Sequence, residues 1–188
     1  MKFNRIIISH LLLFCFSILS SCNSEIVQLK NEIVEFKKTS IVMPCNIICV
    51  QNGVMKDLPK LLSPKATIVV FFDESNCFDC NIAHLSDIIP LYSLAADLGL
   101  SIFCLFSPNE EQLPNVITSL KKAFFPYEVY VDIDNAFKAL NSDFPDDKKF
   151  HIFCLDVNSK PVFVGNPCSS KKAYRNFLKA IKAKPADH

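Results

Sequence analysis

Glycine is scarce in this chain, neither sign of charge is in excess, and no segment repeats. There are three Gly among 188 residues, and 20 Lys and Arg stand against 19 Asp and Glu. Half of the residues are apolar, which with so little glycine excludes a disordered chain. A formal net charge of +1 leaves no basic footprint to neutralise phosphates, so nucleic acid is excluded as a partner. There is no internal repeat or low-complexity stretch. A second Cys-x-x-Cys and any His-x-His are missing too, which removes the other half that a structural zinc site needs.

What is present begins at the N-terminus. Lys2 and Arg5 precede an apolar run, Ile6 to Leu19, that ends in Leu19-Ser20-Ser21-Cys22. A basic start, a short apolar centre and small residues at the end mark a secretory signal rather than a core element. Leu-Ser-Ser-Cys resembles the bacterial lipoprotein cleavage box, which implies lipidation of Cys22; an uncleaved N-terminal anchor is the alternative. Both readings give an exported domain tethered to the membrane of a bacterial cell envelope and facing the periplasm. The expected organisation is a signal over residues 1–21, a polar tether over 22–38 and one domain over 39–188. A domain of that size buries a full core without disulfide staples.

Nine cysteines are present. Loss of Cys15 with the signal and lipidation of Cys22 leave Cys45, Cys49, Cys77, Cys80, Cys104, Cys154 and Cys168, an odd number for an oxidising compartment, so at least one thiol stays unpaired. Cys104 and Cys154 lie in the apolar runs Ser-Ile-Phe-Cys-Leu-Phe and His-Ile-Phe-Cys-Leu, which read as central strands where free Cys behaves as a small buried hydrophobe. Cys45 and Cys49 would be about 13 Å apart in an extended strand, too far to bond without a tight turn. The pairing of Cys45, Cys49 and Cys168 stays open.

Ile41 to Met43 and Ile47 to Val50 read as strand pieces interrupted by Pro44, forming a hairpin at a sheet edge. Beyond them the elements alternate: strand at Thr67 to Phe72, helix from Cys77 to Leu98, strand at Ser101 to Phe106, and a helix within Glu110 to Ala123. Ser107 and Glu110 fit a capping box, with Pro114 able to delay the helix start. A strand at Glu128 to Val131, a short helix at Asn135 to Leu140, a strand at Phe150 to Leu155, a turn at Asp156 to Lys160, a strand at Pro161 to Val164 and a helix from Ser170 to Ala183 complete the chain. Alternating elements with a closing hairpin imply a mixed α/β sheet covered on both faces.

The most informative motif is Cys77-Phe78-Asp79-Cys80, four residues after the apolar strand Ala66 to Phe72. Two thiols at a strand-to-helix junction meet unpaired backbone N–H groups and the positive end of the helix dipole. One helical turn separates them, close enough for a small disulfide ring. Strand, Cys-x-x-Cys helix, strand, helix, inserted strand and helix, hairpin, helix resembles the thioredoxin-like order, and the inserted pair is most similar to its membrane-anchored, TlpA-type branch. The similarity covers Ile41 to Lys184, and Asp156-Val-Asn-Ser-Lys-Pro-Val resembles the family's Asp-x-x-Gly-Lys hairpin with Ser159 in place of Gly.

That resemblance implies a thioredoxin-like three-layer α/β sandwich, with Cys77 as attacking thiolate and Cys80 as a less exposed resolving thiol. It also implies a client protein carrying a disulfide or thiol, an upstream dithiol donor protein, and no organic cofactor. Asp73, Glu74 and Asp79 surround the pair without a Lys or Arg nearby; carboxylates oppose a thiolate, so a reducing role is expected. Alignment on Asp156 places Phe150 where relatives carry a cis-proline, and since a non-proline cis bond costs about 3 kcal/mol a trans bond is expected there. The strand before the motif also lacks the family's buried acid, for which Asp73 or Glu74 could substitute; otherwise both are solvated loop charges.

His151 follows Phe150 and is expected near the pair as a proton relay, with a solvent-facing strand-start histidine as the plain alternative. With Cys77 and Cys80 it could also form a copper-chaperone site, though no resident metal is expected. His84 is expected to pack against the domain. The last helix carries a basic stripe of Lys171, Arg175, Lys179 and Lys182, read as a solvated face. Besides disulfide exchange, a non-catalytic thioredoxin-like binding module and a copper-binding chaperone are the rival readings.

Overall fold

The computed structural model describes residues 25, 27–56, 65–75 and 77–182. The expected signal, Cys22 and the far C-terminal residues lie outside them. The chain divides after Phe36 into two units. In the first, residues 27–36 of the expected tether form helix α1, along which Gln28 donates to Glu32 at 3.0 Å, one turn on. No helix among the described residues is long and apolar enough to cross a membrane.

The second unit is built on seven strands: β1 (Ile47–Gln51), β2 (Val54–Lys56), β3 (Thr67–Asp73), β4 (Ser101–Ser107), β5 (Val129–Asp132), β6 (Ile152–Leu155) and β7 (Pro161–Val164). They lie in the order β2-β1-β5-β4-β3-β6-β7. Strands β3, β4 and β5 run parallel, while β6, β7, β1 and β2 join antiparallel. The register sets Asp73 beside Ser107, Phe106 beside Val131 and Val70 beside Ile152. The C-terminal ends of the parallel strands and the start of β6 therefore share one end of the sheet. Central β3 is apolar and buried almost throughout because both of its faces are covered.

One face carries α2 (Phe78–Ala83), α3 (Ile89–Leu98) and α4 (Leu113–Ala123), whose Phe78, Ile82, Leu91, Tyr92, Val116 and Leu120 pack with Val70, Cys104, Phe106 and Val131. On the same face α6 (Lys171–Lys182) inserts Phe177 beside Leu94, Ala95, Ile68 and Cys154. The other face is covered by the single turn α5 (Phe137–Leu140) and the loop after it. There Phe137 and Phe144 pack on Phe71, with ring centroids 4.4 and 5.3 Å away. Burying one such side chain contributes about 1.5–3 kcal/mol, so these two rings do much of what a longer helix would do on this face. The result is the thioredoxin-like α/β arrangement, with an N-terminal hairpin extending the sheet.

Three local expectations change. The hairpin is formed by β1 and β2 around Asn52-Gly53, both at positive φ (51° and 73°) as a two-residue type I′ turn requires, and Ile41 to Met43 is not a strand. The expected helix from Cys77 to Leu98 is broken: α2 ends at Ala83, a 3-10 turn spans Leu85–Ile88, and α3 restarts with Pro90 in its first turn. Proline has no N–H for the fourth residue back and is tolerated only at a helix start, so the chain must begin again there. Helix α4 starts only at Leu113, because Pro114 acts as Pro90 does. Its lead-in is closed by Asn109 and Gln112, each side chain accepting from the other's backbone N–H at 3.0–3.1 Å. Ser107 lies instead in β4.

Candidate functional site

Strand β3 ends at Asp73, and the Asp73 carboxylate accepts from both the backbone N and the hydroxyl of Ser75, at 3.1 and 2.6 Å. This Asx-type closure turns the chain sharply out of the sheet. Cys77 then stands in extended conformation as the N-cap of α2, and its carbonyl accepts from Asn81 N at 3.0 Å. Phe78 and Ile82 point into the core, with the Phe78 ring 5.8 Å from that of Phe106. Helical spacing leaves Cys77 and Cys80 on the outer side. The two form a disulfide with Cα atoms 5.3 Å apart, within the usual range for such a bond. Both cysteines are exposed.

Around the pair, Asp79 accepts from Ser119 of α4 at 2.9 Å, tying α2 to the adjacent helix. Exposed Glu74 accepts from Asn135 at 3.1 Å, and its carbonyl accepts from Gln112 at the same distance. Three loops are thereby knitted together beside the disulfide.

Asp73 is not a solvated loop charge: it is 2% exposed, and its Oδ2 lies 2.8 Å from Lys138 Nζ. Burial works to raise this carboxyl, but the hydrogen bonds from Lys138 and Ser75 and the Lys138 charge outweigh it and hold it below the usual carboxylate range. Lys138 also meets Asp146 at 2.8 Å. Burial works against the Lys138 charge, yet the hydrogen bonds it donates to Asp146 and Asp73, with their charges, overcome this and raise its pKa.

Phe150 is fully buried in the 3-10 turn Lys148–Phe150, and there is no cis peptide bond among the described residues. His151 is 6% exposed, not solvent-facing. Its ring lies against Phe71 and Phe144, with centroids 5.3 and 5.9 Å away, and its carbonyl accepts from Phe71 N at 2.8 Å. Its Nε2 comes within 3.9 Å of Asp73 Oδ2 and has no hydrogen-bond partner among the described residues. Burial depresses its pKa, with Asp73 opposing and Lys138 assisting, so the imidazole is neutral at pH 7. The structure thus joins Asp73 and His151 with Lys138, a residue no local sequence signal marked.

Among the described residues no group of three or more His, Cys, Asp or Glu is arranged to hold a metal ion. The copper site imagined from Cys77, Cys80 and His151 is not assembled, since His151 lies between aromatic rings and against Asp73. His84 is exposed and faces Asp87 at 3.7 Å rather than packing on the domain. Cys45 and Cys168 are free and exposed, whereas Cys49, Cys104 and Cys154 are free and buried. Burial pushes the Cys49 thiol to about 11, and the Cys104 and Cys154 thiols to about 12.

A second polar cluster escaped the sequence reading. Buried Asp132 at the end of β5 accepts from Phe137 N at 2.8 Å and from Ser107 Oγ at 2.7 Å, and Ser107 Oγ also lies 2.8 Å from Asn135 Oδ1. An Asp closing a buried strand three residues before an Asn is the signal that could have found it.

No protein-family model matches the chain, and no curated protein matches it significantly. Among solved structures, an uncharacterized thioredoxin-like protein from Porphyromonas gingivalis is similar, with 20% identity and a TM-score of 0.45 over 80% of this chain and 99% of that one.

Proposed function

We propose that this protein exchanges disulfides with client proteins through Cys77 and Cys80, in the reducing direction, from a lipid anchor at Cys22 on the periplasmic side of a bacterial envelope. The observation that carries the reading is a solvent-exposed disulfide mounted at the junction of a central parallel strand and a helix. In the reduced protein the Cys77 thiolate attacks one client sulfur, forming a mixed disulfide and expelling a client thiolate that takes up a proton. The Cys80 thiolate then attacks the Cys77 sulfur, releasing the second client thiol and closing the Cys77–Cys80 bond. Two electrons pass to the client, and an upstream dithiol protein returns them.

The strand and helix inserted between β4 and β6 support the TlpA-type reading, and the Leu-Ser-Ser-Cys box supports the anchor. Glu74 and Asp79 stand beside the pair and disfavour thiolate accumulation, which supports the reducing direction. Asp73, four residues before Cys77, is kept ionised by Lys138 and Ser75, so it serves as a fixed negative charge and not as a proton carrier.

With the reduced full-length chain and a small disulfide substrate, Cys77→Ala should cut turnover at least about a hundredfold. Cys80→Ala should accumulate a mixed disulfide on Cys77, detectable by mass. Unchanged turnover in both variants would refute the reading. A non-catalytic binding module is favoured by one observation, the buried Phe150 where a substrate-holding proline is expected. Full biological activity of Cys77→Ala would decide for it.

A further inference from the structure

The disulfide end of the fold is electrostatically one-sided, although the chain as a whole is nearly neutral. Residues 74–80, 108–112 and 133–136 contain five carboxylates, Glu74, Asp79, Glu110, Glu111 and Asp134, and no Lys or Arg. All five are exposed. They belong to loops already joined beside the disulfide, because Glu74 bonds Gln112 and Asn135 while Asp79 bonds Ser119. The strand register brings the start of β1 and the end of β7 to the same end of the sheet, where Asn46 bonds Asp134 and residues 165–170 carry no charge.

Bases stand at this end on two sides: the exposed Lys171 and Lys172 open α6 directly after residues 165–170, and three more lie on the α5 side, two of them held by acids. Lys138 sits on Asp73 and Asp146, and Lys149 on Asp147 at 3.3 Å. Lys148 is the third, in a segment that also carries Asp143. On the side formed by the loops before α2 and α4 and after β5, the five carboxylates meet no Lys or Arg, so the field beside the Cys77–Cys80 bond is negative there.

We propose that this acidic rim selects the partner: the sulfurs that exchange with Cys77 belong to cationic molecules or to protein surfaces rich in Lys and Arg. The proposal rests on the exchange reading above and adds the chemical class of its substrate. Exposed like-sign charges around a site act mainly on encounter, raising association with the opposite sign by tenfold or more and losing this effect as salt screens them.

The test uses the reduced full-length chain with three small disulfides: cystamine as dication, bis(2-hydroxyethyl) disulfide as neutral probe and dithiodiglycolate as dianion. Each rate constant is divided by that of the same probe with dithiothreitol, which removes intrinsic reactivity. The expected result is a cystamine to dithiodiglycolate ratio of about tenfold or more at low ionic strength, falling toward one at about 0.5 M salt. Glu110→Gln with Glu111→Gln should lower that ratio and leave the neutral probe unaffected. A ratio near one at low salt, with the neutral probe reduced normally, would overturn the selection and spare the exchange reading. Failure to reduce any of the three would overturn both.

Discussion

At the scale of single residues the molecule is governed by where charge is tolerated out of water. His151 is neutral because burial among Phe71 and Phe144 outweighs the attraction of Asp73 3.9 Å away. A histidine whose folded pKa is depressed binds fewer protons folded than unfolded below its ordinary value near 6.5, so stability falls as pH drops below that value. Chemical unfolding between pH 7 and 5 should show this loss, and His151→Phe, which suits the aromatic surroundings, should flatten the slope; an unchanged slope would contradict the assignment. Asp73 behaves in the opposite chemical sense with the same sign. Its depressed pKa means that its contribution is complete above the ordinary carboxylate range and disappears only in stronger acid.

The Cys77–Cys80 disulfide was legible because two cysteines at fixed spacing after an apolar strand are a local pattern. Asp73 was seen as a charge beside that pattern and, with Glu74, as a candidate for a buried acid, with no local signal to choose between them. Its burial depends on Lys138, which arrives from a helix on the opposite side of the parallel strands, and no local window of sequence contains both. The position of His151 was legible, but its burial was not, because Phe144 closes over it from a loop whose path the periodicity does not encode.

At the scale of elements, strands were easier to place than breaks. The five strands from Thr67 to Val164 fall within about two residues of their expected limits, since each is a short apolar run between turn signals. Prolines decided the helices: Pro90 and Pro114 each sit in the first turn of a helix that their presence forces to start late. The edge hairpin was expected one step too early, although Asn52-Gly53 announces its turn in the sequence. That glycine is held twice over, by its positive φ and by space. A Cβ on Gly53 would lie 2.5 Å from the Lys121 carbonyl oxygen and 3.1 Å from the Phe124 ring. Gly53→Ala should therefore destabilise the domain by about 1–3 kcal/mol, measured as a shift in the urea midpoint. A neutral result would mean that the hairpin and the end of α4 can separate freely. Ser159 shows the tolerated counterpart: it keeps φ 60° in the Asp156 turn, where Asp156 accepts from Asn158 N and Lys160 N at 2.8–2.9 Å.

At the scale of the whole molecule, the free thiols divide into two populations that the fold keeps apart. Cys45 and Cys168 lie at the surface, while Cys49, Cys104 and Cys154 sit within the sheet with pKa values pushed to about 11 or 12. Reaction requires both access and a thiolate, and the inner three have neither. In the oxidised protein a maleimide reagent should label Cys45 and Cys168 within minutes, and the inner three only at the rate of global unfolding. Rapid labelling of Cys104 without denaturant would show that the central strands open locally.

Strand β2 at one margin of the sheet is three residues long and ends in Lys56, and β7 at the other begins with Pro161, which has no N–H to donate. Among the described residues, neither border presents an incoming polypeptide with a long ladder to extend. Neighbouring copies therefore meet little exposed backbone at these two borders to which a strand could be added.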